Sequence, residues 1–179
     1  MKQLHRQHVW LGRFLASDPG RKRFQQAGKA TISLISAVFT MLFLLKLFNH
    51  SAITPAVVSG MVGMLGIFVV MDDTTAKKKV TTPLIGVAVA VGITLGSAFA
   101  HYSLVVNILL VGAIFSAFYF SRFAIRYFSM GMAGFMSIYI SSILQLDVAH
   151  LSWFYIGIVI GVVYSFLYNF ILFIVSVYV

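Results

Sequence analysis

One stretch, residues 53–100, limits what this chain can fold into more than any other. It reads apolar run, charged knot, apolar run: ITPAVVSGMVGMLGIFVVM from Ile53 to Met71, DDTTAKKK from Asp72 to Lys79, then VTTPLIGVAVAVGITLGSAFA from Val80 to Ala100. Each run holds about 20 residues, enough to cross a hydrocarbon core about 30 Å thick as a helix. Neither run carries an ionisable side chain, whereas three consecutive lysines cannot lie among lipid tails. The spacing predicts two membrane-crossing helices joined by a turn in water, and the lysines put that turn on the cytoplasmic side.

The rest of the chain agrees with that frame. Hydrophobic residues make up 60% of it and charged residues 9%, against about 45–50% and about 25% in a soluble domain. Mean hydropathy is +0.98. There is no cysteine, so no disulfide framework or thiolate metal site is available. The net charge of +9 would suggest nucleic acid in another chain. Here the charges flank apolar runs, which fits orientation and headgroup contact instead, and no nucleic-acid partner is expected. The basic segment from Met1 to Arg23 precedes a long apolar run without a small-residue cleavage site, so it is not read as a removable signal.

Taken in order, residues 1–17 form a weakly amphipathic segment. Leu4, Leu11, Phe14 and Leu15 share one face, with Lys2, Arg6 and Arg13 opposite. This predicts an interfacial helix on the anionic leaflet, with a basic irregular tail as the alternative. Asp18-Pro19-Gly20 breaks the segment, Asp18 suiting a helix cap and Pro19 a first helical position. Residues 18–179 then form one membrane domain, with spans predicted at 27–48, 53–71, 80–100, 103–120, 127–144 and 153–179. The connections are short, so neighbours are expected to pack antiparallel as three hairpins. The expected fold is an all-α, polytopic bundle of six transmembrane helices with an N-terminal amphipathic helix.

Charge supports this topology. With the N-terminus inside, the inner segments hold Lys2, Arg6, Arg13, Arg21, Lys22, Arg23, Lys29, Lys77, Lys78, Lys79, Arg122 and Arg126, and only Lys46 of the 13 basic residues falls outside. Both termini are then cytoplasmic, and the expected location is a bacterial inner membrane. A faint repeat at an offset of 49 pairs His101 with His150, Ser103 with Ser152, Gly112 with Gly161, Ser116 with Ser165 and Tyr119 with Tyr168. Tandem hairpins and chance matching in an apolar alphabet both account for it.

Small residues predict where helices approach: Gly60, Gly63 and Gly66 on the second span, Gly92, Gly96 and Ala100 on the third, Gly157 and Gly161 on the sixth. In lipid such ridges favour association through close backbone contact, within the chain or in a homo-oligomer. Pro55 and Pro83 are expected in the first turns of their helices. Ionisable groups inside a membrane usually mark a path, but the chain has no glutamate and its aspartates, Asp18, Asp72, Asp73 and Asp147, all lie outside the predicted spans. The charged candidates for a path are therefore Asp72, Asp73, Lys77 and Lys78 at the cytoplasmic mouth, with Asn107 and Thr94 as polar groups farther in. A solvated turn and ordinary helix-to-helix bonding are the plainer readings of the same residues. Three outer histidines, His50, His101 and His150, could converge on a metal or sense pH, or simply be interfacial. Aromatic clusters at Phe118–Phe128 and Trp153–Tyr155 match interfacial belts. No nucleophile–base pair is visible, so neither an enzyme nor a cofactor is expected.

The pattern resembles the membrane domain of the fusaric acid resistance and aromatic acid exporter family. The likeness lies in GMVGMLGIFVVMDDTTAKKKVTTPLIGVAVAVGITLG, from Gly60 to Gly96, and in RFAIRYFSMGMAGFMSIYIS, from Arg122 to Ser141. Of the family's Arg-x-x-Gly-Thr-x-x-Gly pattern entering the third helix, Lys79 and Gly86 fit the ends, while Thr82 and Pro83 stand in place of Gly-Thr. The resemblance implies efflux of aromatic or other weak organic acids, with a periplasmic adaptor protein as a partner and the lysines attracting the carboxylate. It also implies a cytoplasmic domain after six spans; the chain stops at VSVYV, still apolar, so a shortened or membrane-only member is expected. The alternative is a non-transporting scaffold or assembly subunit of a larger membrane complex, which the missing buried carboxylate favours.

Overall fold

The computed structural model describes residues 22–70, 75–145 and 151–177. Among them there are six helices and no strand: α1 (Lys22–Leu47), α2 (Thr54–Phe68), α3 (Thr75–Ala98), α4 (Ser103–Ser121), α5 (Ile125–Ile143) and α6 (Leu151–Val177). The expected amphipathic segment 1–17, the Asp18 break, Asp72, Asp73, Asp147 and His150 lie outside the described residues.

Four helices are long and apolar enough to cross a membrane: α1 over Phe24–Leu47, α3 over Ala76–Ala98, α4, and α6 over Leu151–Phe170. This is a membrane protein by its helices. The other two helices differ for identifiable reasons. α2 has 15 residues, about 22 Å at 1.5 Å per residue, less than the hydrocarbon thickness. α5 has 19 residues, but Arg126 and four serines dilute its apolar run. Outward faces carry large apolar side chains such as Phe39, Phe43, Val87, Ile108 and Phe115, far more than water tolerates.

Two boundaries change the reading of the central stretch. α3 begins at Thr75 rather than at Val80. The lysine triplet therefore rides on the first turn of a helix instead of a loop. Pro83 consequently lies inside α3 rather than in its first turn. Its missing amide hydrogen leaves the Lys79 carbonyl without a helical donor. Just before it, the hydroxyls of Thr81 and Thr82 donate to the carbonyls of Lys77 and Lys78, at 3.1 and 2.9 Å. At the other end of the molecule α1 stops because Asn49 turns left-handed, φ 53°. The amide of His50 then reaches back to the Leu45 carbonyl at 2.8 Å, closing the helix end as a Schellman turn.

Contacts alternate in direction as the short connections require, but the packing partners are not the three expected hairpins. α1 and α2 do pack closely. α2 and α3 touch lightly, and α3 packs on α5 instead of on α4. The physical reason is the small-residue ridge. A Cβ added at Gly92 would stand 2.8 Å from the Gly134 carbonyl oxygen, and one at Gly96 2.9 Å from that of Ile138. That approach exists only where both faces are small, and α5 offers Gly134, Ser137 and Ser141. The molecule is thus two three-helix units. One joins α1, α2 and α6; the other joins α3, α5 and α4, with α4 resting on α5 through Gly131 against Ala117. The units meet where α3 passes α6 and α2. The repeat-related positions also part company: Gly161 and Ser165 are buried, whereas nothing lies within 4 Å of a Cβ added at Gly112.

Candidate functional site

α2 determines the site because it ends early. Its last turn stops at Phe68, level with residues well inside α3 and α6. A helix that ends among other helices leaves carbonyls without intrahelical partners. Here three other helices supply the donors. The Asn169 side-chain amide of α6 donates to the Gly66 carbonyl at 3.1 Å, and that of Gln26 on α1 to the Ile67 carbonyl at 3.3 Å. Ser129 of α5 donates to the Val69 carbonyl at 2.5 Å. The end of α2 is therefore a junction of four helices, with Thr82 of α3 in contact with Gly66 as well.

Two lysines enclose this junction. Lys29 sits on α1 between Gln26, which binds Ile67, and Ser33, whose hydroxyl donates to the Gly63 carbonyl at 3.0 Å. Lys78 sits on α3, its carbonyl receiving the hydroxyl of the same Thr82 that touches Gly66. Both lysines are half-buried, and the charge of Lys78 acts on Lys29. They flank the C-terminal turn of α2, where the helix dipole is negative and favours positive charge. By contrast, Lys77 is exposed, and Lys79 lies over the Phe170 ring, 5.1 Å from its centroid. Positive charges on the first turn of α3 oppose that helix's own dipole, so the triplet is not there to cap it. Farther round the same face, the Arg122 guanidinium lies 5.3 Å from the Phe123 ring and Arg126 5.9 Å from Tyr127. Lys77, Lys78, Lys79, Arg122 and Arg126 thus gather at one end of the bundle.

At the floor of the junction Ser165 is fully buried against Gly66, and its hydroxyl is the one buried side-chain polar atom among the described residues without a hydrogen-bond partner. The neighbouring polar groups of this unit are paired. Tyr168 bonds Ser36 at 3.0 Å, and Tyr164 bonds Thr40 at 2.7 Å.

The residues expected farther along a path are placed elsewhere. Thr94 is exposed on α3 and donates to the Ala90 carbonyl at 2.7 Å; it is joined at 2.8 Å by the Tyr155 hydroxyl of α6. It ties the two units together. Asn107 is exposed on α4, away from the junction. Between α2, α3 and α5 lies a crevice of about 20 Å³, lined by Val58, Met61, Val62, Leu65, Val89 and Ile93 among others. That is room for about one water, and the lining is apolar except for Ser137, whose hydroxyl is bonded to Ala133. Asp72 and Asp73 lie outside the described residues.

The packing glycines stand at the helix contacts. Gly60 and Gly63 face α1, Gly157 lies 2.8 Å from the Pro55 carbonyl when given a Cβ, and Gly161 lies 2.5 Å from that of Ser59. Of the histidines, His50 lies against Trp153 with ring centroids 5.0 Å apart and tilted by 56°, and its Nδ1 accepts from the Ala52 amide at 3.3 Å. His101 is exposed. Among the described residues no three potential ligands gather for a metal ion.

Sequence reasoning did not single out Gln26 or Ser129, met Ser165 only in the faint repeat, and placed Lys29 only among the inner basic residues. No sequence signal marked them: the second apolar run is about as long as the third, and only the structure shows α2 ending at Phe68. No family model, curated protein or solved structure matches this chain.

Proposed function

We propose that this protein is a six-span inner-membrane component that admits weak organic acids, aromatic carboxylates among them, from the cytoplasmic side for export. The observation that carries the reading is the inner junction, where half-buried lysines of α1 and α3 flank the buried end of α2 beside the basic residues Lys77, Lys79, Arg122 and Arg126. Such a rim raises the local concentration of anions, and salt weakens the effect. The two helix units share one buried apolar core, in which Val58, Val62, Ile85, Val89, Phe154 and Ile158 meet. A periplasmic adaptor and a homo-oligomer are the partners that the exporter likeness adds.

The test is uptake of labelled benzoate into inside-out vesicles. Lys77→Gln with Lys78→Gln, leaving Lys79 to preserve orientation, should lower uptake, more at low ionic strength than at high, and leave neutral aromatic analogues unaffected. Unchanged carboxylate uptake at low salt would remove the lysines from the transport path. One observation favours a second reading, a membrane scaffold: Thr94 is occupied by Tyr155, and the crevice between α2, α3 and α5 is apolar. Wild-type vesicles that move no organic anion would turn the assignment to that scaffold.

A further inference from the structure

The two lysines that enclose the end of α2 come from different helix units, and only one of them belongs to the conspicuous triplet. We propose that Lys29 and Lys78 form a two-point clamp for the carboxylate of the transported acid, closing over the C-terminal turn of α2; the assignment rests on the transport reading above. Lys29 is level with Gly66 and Ile67, because Gln26 and Ser33 on the same helix bind the carbonyls of Ile67 and Gly63. Lys78 lies one turn before Thr82, the α3 residue that stands beside Gly66, and so approaches the end of α2 from the other side.

The end of the α2 dipole offers these lysines the equivalent of about half an elementary charge. A carboxylate brings a full charge and four lone-pair sites, and so accepts from both ammonium groups at once. Ser165 adds a buried hydroxyl without a partner at the floor, the group in this corner with donor capacity to spare. Because α1 belongs to one unit and α3 to the other, an anion held by both lysines links the units at their inner ends. Lys77, exposed on the outer side of the same turn, is not part of the clamp.

The experiment titrates ¹³C-carboxyl benzoate into the full chain in phosphatidylcholine nanodiscs and reads the bound carboxyl signal. Lys29→Gln and Lys78→Gln should each weaken binding by about tenfold or more, the loss expected for one charge-assisted bond. The double variant should add little to either, since both lysines act on one group. Lys77→Gln should change affinity by less than about twofold, as for a solvated charge. Lys29→Arg keeps the charge and should keep binding, while elution volume and helical circular dichroism check that each variant folds. Equal losses at Lys29, Lys77 and Lys78 would overturn the clamp in favour of a diffuse rim. So would undiminished binding by Lys29→Gln, or no saturable binding by the wild type. Repeating the titration with phosphatidylglycerol in the nanodiscs separates the two sources of anion. Unchanged benzoate affinity supports a seat for a free carboxylate, and its loss would assign the clamp to a lipid headgroup. A protein that binds benzoate with this pattern of losses yet moves none across vesicles would sink the transport reading and leave the clamp standing.

Discussion

The two helix units solve one problem in different ways. Inside a bilayer the lipid tails are as apolar as leucine, so helices gain little by hiding apolar surface from them. The unit of α3, α4 and α5 relies on close approach: Gly92 and Gly96 against Gly134, Ser137 and Ser141, and Gly131 against Ala117. One hydrogen bond, from Ser141 to the Ile93 carbonyl at 3.0 Å, accompanies the α3–α5 contact. The unit of α1, α2 and α6 also has a glycine seat, where Gly157 and Gly161 meet Pro55 and Ser59. It adds a ladder of polar bonds: Ser33 to Gly63, Ser36 to Tyr168, Thr40 to Tyr164, Gln26 to Ile67 and Asn169 to Gly66. The difference follows from α2. A short helix exposes its last carbonyls within the bundle, and only side-chain donors can satisfy them there. The polar unit is accordingly the one that also gathers Lys29 and the unpaired Ser165. In this chain, the place where the backbone runs out is where the chemistry collects.

The largest expected effect is all-or-none and tests whether both units cross the membrane. Contacts make α2 and α6 parallel to one another and antiparallel to α1, and likewise α3 and α5 antiparallel to α4. The chain has no cysteine, so single introduced cysteines report cleanly. Ser51→Cys and Tyr102→Cys should react only with an impermeant reagent added outside, and Lys78→Cys and Arg122→Cys only from the cytoplasmic side. If Ser51 and Lys78 label from the same side, α2 does not cross and the polar unit is a re-entrant arrangement rather than three spans.

Much of this was legible beforehand, and the reasons are physical. The six apolar runs, their order and their alternating direction follow from hydropathy and from the distribution of lysine and arginine, which are local properties of the chain. Gly92, Gly96, Gly157 and Gly161 were readable as contact points because their four-residue spacing puts them on one helix face. Which helix each ridge would meet was not readable. The pairing of α3 with α5 depends on small residues forty positions away, and α4, the sequence neighbour, carries an equally plausible Gly112 and Ser116 that face outward. The charged knot was read as a loop because lysines cannot enter lipid; helix propensity instead draws Ala76 and the lysines into the first turn of α3. Lys29 looked like an interfacial residue because nothing local says that α2 stops opposite it.

The next effect in size compares the glycine seats directly. Gly96→Leu drives a side chain into Ser141 and the Ile138 carbonyl, and Gly161→Leu into the Ser59 carbonyl and Val62. Each should destabilise the protein by about 3 kcal/mol, the upper range for overpacking, because backbone rather than a flexible side chain stands in the way. Gly112→Leu, in open space, should leave melting in detergent unchanged. Equal melting of all three variants would mean that neither unit depends on close backbone approach. If Gly161→Leu alone is tolerated, the polar ladder suffices to hold the first unit.

The smallest effect separates bonds within a unit from bonds between units. Tyr164 joins Thr40 inside the polar unit at 2.7 Å, and Tyr155 joins Thr94 across the seam at 2.8 Å. In both pairs the threonine hydroxyl already donates to a carbonyl one turn back, Ser36 or Ala90, so the tyrosine is the donor of the pair. The two bonds are chemically alike and differ in where they lie. Double-mutant cycles with Thr→Val and Tyr→Phe at each pair should give about 0.6 kcal/mol for Thr40–Tyr164, the average for such bonds in a membrane bundle. The coupling at Thr94–Tyr155 should be smaller, because both side chains are more exposed. It should also depend on benzoate if the units shift when an anion is held between Lys29 and Lys78, whereas the Thr40–Tyr164 coupling should not. Equal couplings, both indifferent to benzoate, would make the seam as rigid as the units it divides, and the molecule one six-helix body rather than two that move.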